Sequence, residues 1–239
     1  MADHMRLDGR IVVVSGAGGG GIGTTVTRLA AEAGATVIAV SRSRANLDTH
    51  VAPLADSGLP VIPVTADAAT DEGIATVLEA ARSADGSLYG LVNIAGGAAP
   101  ETWMPATRVT RSDWRDLFTA NLETMFFMSQ AVAAEIRAAG GPGSIVSVSS
   151  ISGMNSAPFH IAYGTAKAAV VAATRTLGVE LAPYGIRVNA VAPGVTETAA
   201  SATYVEEDPE RDRAAIAMGR RGTPLEQAGA IMFLLSDLA

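Results

Sequence analysis

The chain is 239 residues long, carries a formal charge of −7 and holds no cysteine, which excludes disulfides, thiolate nucleophiles and cysteine-ligated zinc. Its three histidines, His4, His50 and His160, are too scattered for a metal-ligand spacing, and the negative balance argues against nucleic acid or an anionic membrane as partners. The residues from Met1 to Met5 lack a basic-then-apolar leader pattern and no apolar run reaches the ~20 residues that span a bilayer, so a soluble, cytoplasmic protein is expected.

The first predicted strand, 11–14, runs into Ser15-Gly16-Ala17-Gly18-Gly19-Gly20-Gly21-Ile22-Gly23 and a helix over 22–33. A glycine-rich strand-to-helix turn lets backbone N–H groups approach a pyrophosphate. A second strand, 36–40, ends in Ser41-Arg42-Ser43-Arg44, with no acid between Glu32 and Asp48. A carboxylate there would hold a ribose 2′-OH, whereas a guanidinium grips a 2′-phosphate, so Ser41 and Arg42 point to NADP(H), with NAD(H) as the alternative. A helix over 45–55, a strand over 61–64 and a helix over 71–84, capped by Thr70 or Asp71, come next. The strand 88–92 leads to Asn93-Ile94-Ala95-Gly96. A long helix over 112–138, capped by Ser112, contains Asn121, and the strand 145–148 delivers Ser150. The helix over 162–182 bears Tyr163 and Lys167, the strand 186–191 leads to Pro193-Gly194, and the last helix covers 226–235. Gly34, Gly86, Gly140 and Gly185 are the predicted stops. Short strands that read apolar throughout, alternating with helices, imply right-handed crossovers in a doubly wound parallel α/β sheet without an internal domain boundary. The strand-free stretch 198–222, acidic at Glu206-Glu207-Asp208, reads as a lid.

Sixteen of the seventeen basic residues are arginine, and the single lysine, Lys167, stands four after Tyr163, on the same helix face. A free phenol titrates near ~10, roughly three units or about 4 kcal/mol too high for proton transfer at neutral pH. A cation about 4 Å away, at an effective dielectric near 20, is worth about 4 kcal/mol, so one ammonium has the size needed to tune Tyr163.

In this order the motifs resemble the short-chain dehydrogenase/reductase family over nearly the whole chain. The resemblance implies a Rossmann-type fold and a catalytic tetrad of Asn121, Ser150, Tyr163 and Lys167. In it Tyr163 is the general acid or base, Ser150 hydrogen-bonds the reacting oxygen, Lys167 also holds the nicotinamide ribose, and Asn121 anchors a water in a proton relay. It further implies cofactor contacts from Gly16, Gly20, Gly21, Ile22 and Gly23, from Asp67 and Ala68 at the adenine, and from Asn93, Ala95 and Gly96. Pro193, Gly194, Thr196 and Thr198 would lie near the carboxamide. Three departures stand out: one residue too many in the glycine loop, Ile94 in place of a second asparagine, and an end at Ala239 with no seventh strand.

The resemblance implies a pocket between residues 97–107, 153–160 and the lid, to which Trp103, Met104, Met154, Phe159 and Tyr204 contribute. An apolar carbonyl or alcohol substrate is expected there, including a 3-oxoacyl thioester; for an acidic carrier protein, Arg108, Arg111, Arg115 and Arg175 would be the docking patch. The rival readings are an NAD-dependent alcohol, sugar or steroid dehydrogenase and a dinucleotide-sensing regulator without turnover. His160 reads as a rim residue, and Ser149 and Ser152 as turn residues. The long alanine-rich helices, which commonly pair between subunits in the family, predict a homotetramer, with a dimer second.

Overall fold

A computed structural model describes residues 2–198 and 208–239; Tyr204, Glu206 and Glu207 lie outside them. In chain order the elements are β1 (Arg10–Ser15), α1 (Ile22–Glu32), β2 (Thr36–Ser41), α2 (Arg44–His50), α3 (Ala52–Asp56), β3 (Val61–Thr65), α4 (Asp71–Ser83) and β4 (Ser87–Asn93). They continue with α5 (Arg111–Phe118), α6 (Thr124–Ala139), β5 (Gly143–Val148), α7 (Ile161–Leu181), β6 (Ile186–Val191), α8 (Pro209–Ala215) and α9 (Pro224–Leu235).

The strands form one parallel sheet in the order β3-β2-β1-β4-β5-β6. Successive residues of β1 face opposite ways, and both faces are buried. Val12 and Val14 join Val26 and Ala30 of α1 and Ile231 and Leu235 of α9. Ile11 and Val13 join Ile74 and Val77 of α4 and Met128 and Val132 of α6 on the other side. Burial on two faces is why the strands read as unbroken apolar runs. The strand order reverses between β1 and β4, and that is where an open α/β sheet leaves its binding crevice.

Three helix expectations need correction. The predicted helix over 45–55 breaks at Val51 (φ −112), and α3 restarts with Pro53 in its first turn. The cap before α5 is Thr110, not Ser112: Thr110 and Asp113 form a reciprocal capping box. The long helix is also interrupted by a π-helical turn, Thr119–Glu123, which contains Asn121. Of the two caps considered for α4 it is Thr70 that accepts from Gly73 N, and left-handed Gly140 ends α6 as expected. The stretch 198–222 is not wholly irregular, since it includes α8, and Gly222 bridges Thr196.

Arg187 closes the far end of the fold. Its guanidinium donates to the carbonyls of Leu234 at 2.7 Å and Ser236 at 2.9 Å, capping α9. Among the described residues no helix is long and apolar enough to cross a membrane.

Candidate active site

The turns that follow the carboxyl ends of the strands form the site. After Ser15 the chain passes through Gly16 (φ 81), a 3-10 turn Ala17–Gly19 and Gly20 (φ 64), and α1 begins at Ile22. Both left-handed positions favour glycine. Gly16 and Gly23 also allow close approach: a Cβ on Gly16 would lie 2.6 Å from Ala95 N, and one on Gly23 2.1 Å from Gly16 O. The glycine loop closes through this 3-10 turn, and Thr24, which the sequence reading passed over, fastens it. Its hydroxyl donates to Ala17 O at 2.6 Å and accepts from Gly20 N at 3.0 Å. The N-terminus of α1 has no side-chain cap, which leaves its amides to meet an anion. Gly21 abuts the Thr198 methyl, which would be 2.9 Å from a Cβ there.

At the end of β2, Gly18 packs on Ser41, whose oxygen would lie 2.9 Å from an added Cβ. Arg44 is engaged by Asp48 at 2.8 Å, one helical turn on. Arg42 is exposed and makes no ion pair among the described residues. The half-buried Asp67 accepts from Ala69 N at 3.0 Å, and Ala68 beside it is buried.

Asn93 turns inward rather than offering its side chain to the crevice. Its Nδ2 donates to Ser129 Oγ at 2.9 Å and Ser147 Oγ at 3.3 Å, and its buried Oδ1 has no partner. Ala95 N donates to Ser15 O at 3.1 Å, joining the loop after β4 to the end of β1. Gly96 (φ 134) sits against Asn121, whose Oδ1 would be 2.5 Å from a Cβ. Asn121 is itself buried, at 1% exposure. Its Oδ1 accepts from Gly97 N at 2.7 Å, while Nδ2 donates to Gly97 O at 2.9 Å and Leu117 O at 3.0 Å. Both amide hydrogens are thus committed to fixing the loop at Gly97, and only Oδ1 has a lone pair left for a water.

Ser150 leaves β5 in extended conformation (φ −164) and its Oγ accepts from Ser152 N at 3.1 Å. Pro193 accepts from Ile151 N at 3.1 Å, tying this turn to the segment after β6. Helix α7 presses on the turn through two glycines. A Cβ on Gly153 would be 2.6 Å from the Lys167 carbonyl carbon, and one on Gly164 2.7 Å from Ser152 O. That approach brings the Tyr163 phenol against the Ser150 hydroxyl. Burial pushes the Tyr163 pKa above its ordinary value, and the nearby Ser150 hydroxyl works the other way. Ser149 donates to Lys167 O at 2.8 Å, the turn role expected of it.

Lys167 is 4% exposed, its Nζ donates to Val148 O at 2.8 Å, and burial pulls its pKa down to about 8. Nζ lies 5.8 Å from the centre of the Tyr163 ring. The ammonium therefore sits beneath the phenol, pinned by a strand carbonyl, and the net direction at Tyr163 is upward rather than the downward one expected, because burial of the phenol is the largest influence on it. Only one of three ammonium donors has a partner among the described residues, which leaves a buried cation facing the crevice in need of oxygen ligands.

His160 precedes α7, and its ring lies 4.9 Å from that of Trp103 and 6.3 Å from that of Tyr163. Burial lowers its pKa, so it is neutral at neutral pH, as suits a rim residue. Two cavities lie outside this constellation. One of about 360 Å³ is bordered by Thr110, Arg111, Trp114, Arg115 and Ile161. The other, of about 340 Å³, is bordered by Phe126, Phe127, Ala169, Ala172 and Ala173.

A family model described as enoyl-(acyl carrier protein) reductase matches residues 16–239. The chain is 37% identical over 235 residues to a 3-oxoacyl-acyl-carrier-protein reductase of Thermotoga maritima, covering 98% of this chain and 93% of that one. It superposes on the solved structure of a 7α-hydroxysteroid dehydrogenase complexed with NADH and 7-oxo glycochenodeoxycholic acid with a TM-score of 0.90, at 28% identity over 99% of this chain and 91% of the other. A gluconate 5-dehydrogenase of Burkholderia cenocepacia in complex with NADP and tartrate gives 0.89 at 30% identity, over 99% and 91%. Similarity of this extent, on a sheet whose strand ends gather Ser150, Tyr163 and Lys167, shows that the chain belongs to the short-chain dehydrogenase/reductase family, enzymes that interconvert alcohols and carbonyls.

Proposed function

We propose that the protein reduces an apolar ketone to a secondary alcohol, and runs the reverse reaction, with NADPH as its preferred cofactor. The observation that carries this reading is the Ser150 hydroxyl set against the Tyr163 phenol, with the buried Lys167 ammonium beneath them. The residues fit a dinucleotide: the glycine cradle has no room for a Cβ at Gly16, Gly21 or Gly23, and Lys167 is short of oxygen partners. Gly16, Gly20, Gly21, Ile22 and Gly23 would hold the pyrophosphate, Asp67 and Ala68 the adenine, and Lys167 the ribose next to the nicotinamide. Ala95 and Gly96 would line the cofactor's inner face, with Asn93 bracing the loop from behind. Pro193, Gly194, Thr196 and Thr198 would border the carboxamide. A bound nicotinamide would supply the hydride for the substrate carbon, or accept it in the reverse direction.

The protein's own part is the proton and the geometry. Tyr163 donates its phenolic proton to the developing alkoxide, or removes it from the alcohol in the other direction. Ser150 donates a hydrogen bond to the same oxygen as charge builds on it. Lys167 sits under the phenol that becomes phenolate and favours that charge. Asn121, through Gly97, keeps the facing loop in place and offers its Oδ1 to a relay water. NADPH is favoured because Arg42 has no ion-pair partner among the described residues to surrender and Arg44 is already held by Asp48. Ser41 stands at the same strand end.

A second substrate reading has its own support: Arg111 and Arg115, which border the 360 Å³ cavity, and Arg108 a few residues before them are exposed and without ion pairs among the described residues, as an acidic carrier of a 3-oxoacyl thioester requires. Subunit pairing through α6 and α7 is proposed on the apolar cavity at Phe126, Phe127, Ala169, Ala172 and Ala173, with a tetramer expected and a dimer second.

The test is turnover of ketones, acyl thioesters and alcohols by the purified protein, followed by nicotinamide absorbance. Tyr163→Phe should reduce kcat by 10²-fold or more, on the order of a general acid's contribution; near-normal turnover would refute the mechanism. Arg42→Ala should weaken NADPH binding at least ~10-fold, about 1.4 kcal/mol, and leave NADH affinity within twofold. Equal effects on both cofactors remove the 2′-phosphate role.

A further inference from the structure

Among the described residues one non-glycine backbone is left-handed: Phe159, at φ 67. For a residue with a Cβ this region costs roughly 1–2 kcal/mol. The ring is also 59% exposed, forgoing about 2 kcal/mol that burying it would contribute. Both costs fall on a single residue, four before Tyr163, and glycine would remove both. Backbone strain of this kind persists where the surroundings over-determine it. Here the determinant is visible: Phe159 O accepts from Met104 N at 3.0 Å, clipping the loop before α7 to residues 97–107.

The chemistry around Phe159 is uniform. Ile151 and Met154, on the turn that begins at Ser150, are 44% and 62% exposed, and Val195 after β6 is 45% exposed. From 151 to 163 no residue carries a charge, and His160 is held neutral. The Trp103, His160 and Tyr163 rings follow one another, and Phe159 is joined to them through its backbone, next to His160 in the chain and bonded to Met104 N beside Trp103. Exposed apolar side chains on the loops that flank polar reacting groups mark a ligand surface, and flat aromatic faces gain most from a partner that is itself a ring.

We infer that Phe159 is the specificity-determining residue of this site: a strained aromatic platform for the body of a ring-bearing ketone whose carbonyl lies at Ser150 and Tyr163. The inference rests on the carbonyl-reductase reading and names its substrate class, an uncharged alicyclic or aryl-substituted ketone rather than a polyol or a linear acyl chain.

The experiment compares the parent with Phe159→Gly, which keeps the left-handed backbone and removes the ring, and with Phe159→Leu, which keeps an apolar side chain without a flat face. The probes are 4-phenylcyclohexanone and 2-butanone, given to the cofactor-loaded protein, with turnover and tryptophan fluorescence both recorded. Phe159→Gly should melt no lower than the parent. Its KM for 4-phenylcyclohexanone should rise at least ~10-fold more than its KM for 2-butanone, equivalent to about 1.4 kcal/mol of selectivity, with kcat changing less than KM. Phe159→Leu should fall between the two. Equal changes for both ketones, or a lower melting temperature with selectivity intact, overturn the platform. So does a change in sedimentation of Phe159→Gly, which would mean that a second copy covers the ring. If the parent turns over neither ketone, yet 4-phenylcyclohexanone quenches its fluorescence and Phe159→Gly weakens that binding tenfold, the platform stands and the reaction assignment falls. A parent that neither binds nor turns over 4-phenylcyclohexanone overturns the platform itself.

Discussion

Lys167 holds a charge at 4% exposure with a single hydrogen bond, to Val148 O, and this has a thermodynamic signature. Desolvation brings its pKa from 10.5 to about 8, so the folded chain binds this proton more weakly than the unfolded one does. As pH falls from 10.5 towards 8 the unfolded state takes up the proton first, and the folded state loses ground. The penalty is complete below about pH 8 and absent above 10.5, so stability from this position rises with pH across that window. The rise is on the order of 3 kcal/mol. Lys167→Met removes the titration while leaving the other alkaline groups in place. The stability of the parent relative to Lys167→Met should therefore climb between pH 8 and 10.5 in denaturant titrations. A flat or falling difference would show that the ammonium is not desolvated as described. Cofactor hydroxyls that complete its hydrogen bonds should reduce the slope.

Helix α7 converts packing into chemistry, since its distance from the turn after β5 sets how far Tyr163 stands from Ser150. Gly164→Ala would place a methyl 2.7 Å from Ser152 O, a backbone atom that yields only if the helix or the turn moves. Overpacking of this kind costs about 1–3 kcal/mol, and a shift of about 1 Å between reacting groups costs ~100-fold in rate. The expected outcome is a kcat loss near 100-fold with a modest drop in melting temperature. Gly178→Ala on the same helix is the control, because its Cβ would meet only Val188 O at 3.6 Å, and its activity should persist. A fall of equal size in both variants would mean that helix flexibility, and not close approach, governs the rate. Periodicity along α7 was enough to set Tyr163 and Lys167 on one face. It could not show that the lysine reaches down to a strand carbonyl, because depth is decided by which turn packs on the helix. The inner strands were legible for the converse reason: β1, β2, β4 and β5 are buried on both faces over most of their length, so the local pattern and the tertiary environment coincide, whereas the edge strand β3 exposes Ile62, Pro63 and Thr65 and was legible from its apolar run alone. The π-helical turn at Asn121 had no local signal, since it depends on an amide reaching the Gly97 loop 24 residues earlier. Thr110 as a cap is readable from Asp113 three residues on, the reciprocal spacing that Ser112, with Arg115 at that place, lacks.

At the scale of the whole molecule, both ends of the described chain are fastened to the sheet around Arg187, away from the reacting groups. Its guanidinium reaches Leu234 O, Ser236 O and, at 3.3 Å, the Tyr89 hydroxyl, while Arg10 pairs with Asp237 at 2.7 Å. Helix α9, held this way, packs its Ile231 and Leu235 into the same core as Val26 and Ala30 of α1, the helix whose N-terminus opens on the glycine cradle. Arg187 thus bears on the stability of a helix that shares its core with the glycine-cradle helix, from the end of the sheet remote from Ser150 and Tyr163. Arg187→Lys keeps the charge, but a single ammonium lacks the planar fork that spans successive helix carbonyls. Losing two of these partly buried, charge-assisted bonds should cost about 2–4 kcal/mol. In a chain of this size that is a fall of roughly 5–15 °C in melting temperature. Because the defect is remote from Ser150 and Tyr163, kcat at saturating cofactor should stay within about twofold of the parent. Excess NADPH should recover part of the lost melting temperature by mass action, about 2.7 kcal/mol at a hundredfold excess over its Kd. A variant that melts like the parent would show that the cap is dispensable. One that keeps its melting temperature but loses kcat would place Arg187 in the catalytic machinery instead.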